Sequence, residues 1–258
     1  MWTIATFNVN SIRKRISLVS EWLAIHQPDV LCLQETKVQD SEFPTQALAP
    51  SGYQWVFRGM KAYNGVAILS RELPGDVSFG LQDGKEPDEF RLIQATVNGL
   101  TIVNTYVPQG SAINSPKYAY KLDWFKRLRV YFQNLGVPDK PVVWLGDMNV
   151  APTPIDVHHP ESHEDHVCYH VDARTAYHTV MELGFEDVYR RLHPATRQYT
   201  FWDFRMPRAL ERNLGWRIDH ILATPSVASY CEQAGVDLNA RKHPEPSDHT
   251  IVWARFRD

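Results

Sequence analysis

The chain has 258 residues, of which 43% are hydrophobic, and a formal net charge of −3 at neutral pH. This length is enough for a large domain with a buried core, and we expect a single domain over residues 1–258. The small negative charge argues against a protein that coats nucleic acid, but it leaves room for an enzyme with local basic patches.

Cysteines and apolar runs restrict the class further. The three cysteines form no close pair, so they give neither a disulfide framework nor a zinc ribbon. Cys32 lies in an apolar run and is predicted to be a buried free thiol. No stretch approaches the ~18 apolar residues of a membrane span, and residues 1–10 lack the pattern of a signal peptide. We therefore expect a cytoplasmic protein that contacts no membrane.

Short apolar runs predict β-strands along the whole chain. Asn98-Gly99 separates two of these runs and is a strong signal for a two-residue hairpin turn, so antiparallel pairing is expected. The runs cover residues 2–9, 29–34, 53–57, 65–70, 92–97, 100–107, 142–146, 218–223 and 251–256.

Segments with helical periodicity lie between the strands. Apolar residues at i, i+4, i+7 and i+11 from Ile12 predict a first helix, with Ser11 as its N-cap. A second helix runs through residues 118–132 and stops at Gly136. A third covers residues 176–183. Two sheets covered by helices on their outer faces would account for these predicted strands and helices.

Carboxylates and amides follow the ends of the apolar runs. Asp147 and Asn149 lie two residues apart after residues 142–146, so on an extended chain their side chains face the same way. Glu35 and Asn8 end two other runs in the same manner. Each alone is also ordinary turn chemistry, or half of a surface ion pair. Together they predict one site at a sheet edge, suited to Mg²⁺ and a phosphate ester.

Asp248 and His249 are adjacent, so on a strand they face opposite sides. One could bind a metal ion while the other contacts phosphate or a second carboxylate, for which Asp219 is the natural candidate. A neighbouring aspartate raises the pKa of histidine and favours a cationic imidazole beside phosphate. A helix cap with a solvated histidine is the alternative, and the clustering of such segments argues against it.

Five of the 11 histidines lie between residues 158 and 170. The spacing of His163 and His166 is not that of a metalloprotease helix. We favour a mobile polar surface loop, with substrate contact as the main alternative and a transition-metal site as the weakest.

Basic and aromatic residues interleave between residues 202 and 217, which suits insertion into opened DNA, and Arg205 and Arg208 are candidate DNA contacts there. On the second helix, a solvated face explains the basic residues by default. Lys121 is nevertheless also a candidate DNA contact.

As a set, several short strings resemble the exonuclease III family of abasic-site (AP) endonucleases. They run in order through the whole chain: Phe7-Asn8-Val9-Asn10, Leu33-Gln34-Glu35-Thr36-Lys37, Asn64-Gly65-Val66-Ala67, Tyr106-Val107-Pro108-Gln109-Gly110, Leu145-Gly146-Asp147-Met148-Asn149, Arg217-Ile218-Asp219-His220 and Pro246-Ser247-Asp248-His249.

The resemblance implies a deoxyribonuclease I-like fold of the endonuclease/exonuclease/phosphatase superfamily, a four-layer α/β sandwich of two mixed β-sheets with outer helices. It implies Mg²⁺ as cofactor, with Mn²⁺ as a substitute. It also implies a monomer that acts on double-stranded DNA with abasic sites or blocked 3′ ends. The activities would be hydrolysis 5′ to abasic sites, removal of 3′ blocking groups and 3′→5′ exonuclease action.

The resemblance also implies a metal site. Carried over by position, Glu35 resembles the main Mg²⁺ ligand, and Asn8, Asn10 and Asp248 lie near the metal ion. Asn8 would also hydrogen-bond the scissile phosphate. Asn10 stands where other family members carry aspartate, so a second carboxylate is missing there.

The remaining catalytic roles fall on the other strand ends. Asp147 resembles the residue that orients or deprotonates the attacking water, although the identity of the base stays open. Asn149 would hydrogen-bond the phosphate. His249, held by Asp219, would neutralise the developing charge together with Tyr106.

Phe201, Trp216 and Ile218 resemble the walls of a pocket for a flipped-out, baseless sugar. Residues 158–162 replace an amide-rich loop, and Val167 and its neighbours lie where this loop could narrow the pocket. Abasic-site incision and mainly 3′-end processing therefore both stay open. A phosphohydrolase on the same fold with a different substrate is another alternative, and the aromatic pocket argues against it. A non-catalytic DNA-binding module would have eroded catalytic positions, which are intact here.

Overall fold

The structure is a computed structural model that describes residues 1–85 and 90–257. The strands within these residues are β1 (Trp2–Asn8), β2 (Val30–Gln34), β3 (Gln54–Arg58), β4 (Val66–Ser70), β5 (Gly75–Phe79), β6 (Leu92–Val97), β7 (Leu100–Tyr106), β8 (Val142–Asp147), β9 (Glu186–Asp187), β10 (Asp219–Ala223), β11 (Cys231–Asp237) and β12 (Ile251–Phe256). The helices are α1 (Ile12–His26), α2 (Thr45–Leu48), α3 (Pro116–Leu135), α4 (Val171–Met181), α5 (Val188–Leu192), α6 (Pro225–Ala228) and α7 (Leu238–Arg241).

The strands form two six-stranded sheets, ordered β11-β12-β1-β2-β4-β3 and β5-β6-β7-β8-β10-β9. Each sheet is mixed, because β1 pairs with β2 and β7 pairs with β8 in parallel, whereas the other pairs are antiparallel. Both sheets therefore contain a parallel pair at their centre.

Apolar side chains divide the molecule into layers. Ile4 and Cys32 from the first sheet pack against Val143 and Leu145 from the second in one buried cluster. A second cluster joins the outer face of the first sheet to α1. A third joins the outer face of the second sheet to α3 and α4, with Trp144 between them. The four-layer sandwich with outer helices is confirmed, and so is the burial of the Cys32 thiol.

The predicted elements match the observed ones to within a few residues. Asn98 and Gly99 have φ values of 51° and 76° and join β6 to β7, so the hairpin is confirmed. The helix that was predicted to stop at Gly136 is α3, which begins after a Ser115 cap. Ser11 occupies the N-cap of α1, but its side chain makes no cap hydrogen bond. No helix among the described residues has the length and apolar character needed to cross a membrane.

The sequence did not reveal β5, β9 or β11. All three lie at sheet edges, where one side of the strand meets solvent and the apolar run is interrupted. β9 has only two residues, and β11 has buried residues only at Cys231 and Ala234.

Gly146 shows how tightly the strands approach each other near the end of β8. It has a φ of +134°, and a Cβ atom there would lie 2.0 Å from the carbonyl oxygen of Thr105 in β7. A side chain would therefore force backbone against backbone, because neither strand can shift without disturbing the core.

We predict that Gly146→Ala lowers the free energy of unfolding by about 3 kcal/mol, through backbone strain and the contact with β7. The measurement is urea denaturation, with Gly75→Ala as the matched control, because a Cβ atom at Gly75 would find its nearest neighbour at 3.9 Å. Equal stability of the two variants would contradict the prediction.

Candidate active site

The ends of β1, β2, β8 and β10 meet at one edge of the sandwich. A cavity of about 560 Å³ opens there. Of the residues selected from the sequence, those lining it are Asn10, Glu35, Tyr106, Asp147, Asn149, Phe201, Arg205, Trp216, Ile218, Asp248 and His249. Asn8 and Asp219 lie buried directly beneath. The sequence-selected strand ends thus form one site.

The side-chain amide of Asn8 links the two sheets. Its Nδ2 donates to Glu35 Oε1 at 2.7 Å and to Asp147 Oδ2 at 2.9 Å. Glu35 follows a strand of the first sheet and Asp147 ends a strand of the second. One neutral donor therefore holds two carboxylates close together in a place where Asn8 itself has no exposed surface.

The backbone turns sharply where the strands end. Asn10, Glu35 and Asn149 have φ values of 43°, 50° and 49°, in the left-handed region that non-glycine residues rarely adopt. The Asn149 N–H donates to Asp147 Oδ1 at 2.9 Å, which fixes the turn after β8. Such strained positions are concentrated at functional sites, where the surrounding contacts hold them.

His249 forms an ion pair with Asp219. Its Nδ1 lies 2.9 Å from Asp219 Oδ2, which also accepts from the Thr200 hydroxyl at 2.6 Å. Its Nε2 lies 3.8 Å from Asp147 Oδ2. Burial disfavours the cationic imidazole, but Asp219 and Asp147 outweigh this effect and raise the pKa of His249 to about 10. The imidazole is therefore cationic at neutral pH.

The pKa of Asp147 is also shifted by burial, because this carboxylate has almost no exposed surface. Burial, with the nearby charges of Asp219 and Glu35, raises its pKa to about 7, against the opposing effect of His249. Burial and the charges of Glu35 and Asp147 likewise raise the pKa of Tyr106, so its hydroxyl stays protonated and can donate.

Glu35 lies at the more open side of the site. Its Oε2 is 2.8 Å from the Lys37 ammonium, which also donates to Asn10 Oδ1. Burial opposes ionisation, but Lys37 and Asn8 outweigh it and lower the pKa of Glu35. Asn10 in turn donates to Asp248 Oδ1 at 3.0 Å. Asp248 and His249 thus face different partners, as their adjacency predicted.

The donor set suits a hard cation. Ligand atoms of Glu35, Asp147 and His249 lie within 4.8 Å of one another. A cationic imidazole cannot be a ligand, so the carboxylates are the available donors. Asp248 lines the same cavity but does not belong to this group. Oxygen ligands without a thiolate fit Mg²⁺ or Mn²⁺.

The other end of the cavity is aromatic. Phe201 pairs with Trp216 through a short antiparallel bridge, and its ring lies 4.8 Å from the His249 ring. His166 and His163 place their rings 4.3 and 4.9 Å from Trp216. Desolvation beside the aromatic wall, with a smaller effect of the nearby His163, lowers the pKa of His166 to about 4, even though the residue as a whole is exposed.

Much of the histidine-rich stretch is exposed, as a polar surface loop requires. His158, His163 and His166 also line the cavity, which is the position that the alternative of substrate contact needs. The expectation for Val167 itself was wrong. Its side chain is buried and lines a separate groove beside Ile113, whereas its neighbours His166 and Cys168 line the cavity.

Some basic and aromatic candidates lie elsewhere than predicted. Lys121 has no exposed surface, so it cannot contact DNA. Arg217 is also buried, between Asp156 and Asp187 at 2.6 and 2.7 Å. Arg208 is exposed outside the cavity, where it pairs with Glu211, and its assignment as a DNA contact stays a prediction. Trp202, which belongs to the interleaved stretch, is buried as well.

The sequence also missed supporting residues. Arg15 donates to the carbonyl oxygens of Asn10 and Pro246, and so connects the start of α1 to the segment that precedes Asp248. Thr200 supports Asp219, but nothing local in the sequence marks it. Both contacts join segments that are far apart in the chain, which a pattern within one segment cannot reveal.

Comparisons with known proteins agree with this geometry. Residues 5–249 match the family described as Endonuclease/Exonuclease/phosphatase family. The structure is similar to an AP endonuclease from Archaeoglobus fulgidus, with 52% identity, full coverage of both chains and a TM-score of 0.98. It is also similar to the 3′ phosphatase NExo from Neisseria, in a structure bound to product DNA hairpin, with 39% identity, full coverage and a TM-score of 0.96. Exodeoxyribonuclease III from Haemophilus influenzae is 31% identical, with 98% of each chain covered.

We predict that Asp219→Asn lowers the pKa of His249 by about 1–3, because it removes the nearest charge that favours the cationic imidazole. Titration of the His249 ring protons by NMR measures this directly. Asp123→Asn, at an exposed position of α3, is the control and should leave the titration unchanged. A pKa of about 10 in Asp219→Asn would show that another group holds the charge.

Proposed function

The chain belongs to the endonuclease/exonuclease/phosphatase family, and we propose that it is a DNA-repair phosphodiesterase that incises duplex DNA 5′ to abasic sites and processes blocked 3′ ends. It is a homologue of exodeoxyribonuclease III and of AP endonucleases. The observation that carries the proposal is Asp147, a buried carboxylate beside Glu35 and a cationic imidazole.

Asp147 acts as the general base. A pKa of about 7 allows it to be ionised in part of the population and still to accept a proton readily at neutral pH. Its two oxygens accept from the Asn149 backbone N–H and the Asn8 amide, so its orientation is fixed. As the oxygen of the attacking water bonds to phosphorus, its proton passes to this carboxylate. The bond between phosphorus and the 3′ oxygen then breaks, and the departing 3′ oxygen takes up a proton from solvent.

Donors that are already in place stabilise the negative charge that develops on the phosphate. His249 supplies a cation at the Nε2 side, because Asp219 holds Nδ1. Tyr106 contributes a protonated hydroxyl. The Asn149 amide uses one N–H on the Val107 carbonyl and keeps the other for the substrate. Preorganised donors of this kind stabilise a transition state without further rearrangement.

The reaction would depend on a divalent metal ion, which Glu35 would hold, with Asn8, Asn10 and Asp248 nearby. When bound, Mg²⁺ or Mn²⁺ supplies positive charge beside the phosphate oxygens. The protein acts as a monomer on double-stranded DNA.

The aromatic end of the cavity takes the sugar at the lesion. A flipped-out abasic sugar must enter between Phe201, Trp216 and Ile218, at a cost of a few kcal/mol for opening the duplex. A terminal 3′-phosphate needs less of this space. Because His166 covers part of Trp216, mainly 3′-end processing is the second candidate function, and the likeness to the Neisseria 3′ phosphatase also favours it.

The test is cleavage of three duplexes, which carry an abasic-site analogue, a 3′-phosphate at a nick, or a plain 3′-hydroxyl end. We expect chelation to abolish cleavage and Mg²⁺ or Mn²⁺ to restore it. Asp147→Asn keeps the shape of the side chain and removes the base, so the rate should fall by about 10²–10⁴.

Binding of DNA should survive in Asp147→Asn, since a negative charge near the phosphate has been removed. Full activity after exhaustive chelation, or wild-type turnover in Asp147→Asn, would contradict the proposed mechanism. Cleavage of none of the three duplexes by the wild type would contradict the function itself.

We predict that His166→Gly raises the ratio of abasic-site incision to 3′-phosphate removal, because the imidazole leaves the face of Trp216 and frees space for the sugar. Initial rates on the two duplexes at equal enzyme concentration give this ratio. His159→Gly is the matched control, since His159 is exposed and lies outside the cavity. An unchanged ratio in His166→Gly would mean that this ring does not limit the pocket.

A further inference from the structure

Lys121 carries a buried ammonium in the second turn of α3. It has no exposed surface, and its Nζ donates to three backbone carbonyl oxygens, those of Gln109 at 3.1 Å, Asn149 at 2.7 Å and Val167 at 2.7 Å. An ammonium has three protons, and all three are used. Within residues 1–85 and 90–257, no carboxylate forms an ion pair with it.

The three carbonyls belong to three separate loops of the candidate active site. Gln109 follows β7 and lines the cavity, and Asn149 follows β8 and carries the amide assigned to the phosphate. Val167 lies between His166 and Cys168, whose side chains line the aromatic end of the same cavity. One side chain therefore connects the loop of the phosphate amide to the loop that forms the sugar pocket.

The chain around Lys121 is shaped to allow this contact. Gly110 has a φ of +104°, and a Cβ atom there would lie 3.0 Å from Tyr118 Cδ2 and 3.4 Å from Lys121 Cδ. The loop after β7 thus passes closely over the lysine stem. Cys168 Sγ also reaches Asn149 Oδ1, at 3.8 Å, directly beside the ammonium.

Burial lowers the pKa of Lys121, so the fold retains a charge that it must partly desolvate. An apolar side chain of the same length would fill the space without that cost, but it would leave three carbonyls without this donor. Buried carbonyls that lose a partner draw in water or move.

We propose that Lys121 is a positioning residue that sets the distance between the phosphate-binding loop at Asn149 and the sugar-pocket loop at residues 166–168. This assignment rests on the proposed function. It makes Lys121 a determinant of the balance between abasic-site incision and 3′-end processing, because only a duplex with an internal abasic site needs both loops at the correct distance from each other.

The experiment compares Lys121→Met and Lys121→Arg with the wild type and with Lys117→Met, which places the same substitution on an exposed position of α3. In Lys121→Met we expect kcat to fall about 10-fold on the 3′-phosphate duplex and about 10²-fold on the abasic duplex, the scale of a misplacement of about 1 Å. Lys121→Arg keeps the charge, so the ratio of kcat on the abasic duplex to kcat on the 3′-phosphate duplex should shift less than in Lys121→Met. It should still shift, because the planar donors of arginine cannot converge on three carbonyls.

Two further readouts separate this role from others. The slope of log Kd for DNA against log salt should not change, whereas loss of a direct phosphate contact would reduce it by about 0.9. Hydrogen exchange at the Asn149 and Cys168 amides should accelerate in Lys121→Met and not in Lys117→Met.

Equal losses on both substrates, in proportion to the loss of folded protein, would overturn the assignment and leave a purely structural lysine. If Lys121→Met does not fold, Lys121→Arg decides, and a wild-type ratio there overturns the proposal. A wild type that cleaves neither substrate contradicts the proposed function alone. In that case the exchange rates still test the coupling of the loops, and unchanged rates overturn it.

Discussion

The molecule depends on one electrostatic constraint, which is that two sheets meet at an edge where each contributes a carboxylate. Glu35 and Asp147 share the Asn8 amide, so they lie close together in a region with little water. Like charges in such a place repel strongly, and one of the two must change its pKa or gain a cation. Asp147 does both, since its pKa rises and the cationic His249 lies beside it.

Each neutralising group in turn needs its own support. His249 keeps its charge because Asp219 holds it, and Asp219 is oriented by Thr200. Glu35 is held by Lys37, which also reaches Asn10. The charges therefore alternate outward from the centre, and the contacts continue into polar side chains, Thr200 on one side and Asn10 on the other. Such a network is stable only when every member is present, because the removal of one partner leaves a buried charge behind.

The sequence predicts the catalytic groups of this site better than it predicts the residues that hold these groups in place. Glu35 and Asp147 follow apolar runs, and Asp219 lies at the start of one, so each of these positions can be recognised within a single segment. Lys121 was misjudged as a DNA contact, although a signal was available. It lies three residues after Tyr118 and four before Phe125, both of which belong to the apolar face of α3. Arg217 offered no such signal, because its partners Asp156 and Asp187 are far away in the sequence.

The two ends of the cavity are fixed by different means, and this difference bears on how the activity can vary. The catalytic end is set by strands whose register is locked by the core between the sheets. The aromatic end is set by loops, which meet at the Lys121 ammonium and at Trp216. A substitution in a strand disturbs the core and the chemistry together. A substitution in a loop can change the shape of the aromatic end while the carboxylates stay in place. Substrate preference can therefore change among proteins of this fold while the catalytic groups stay constant.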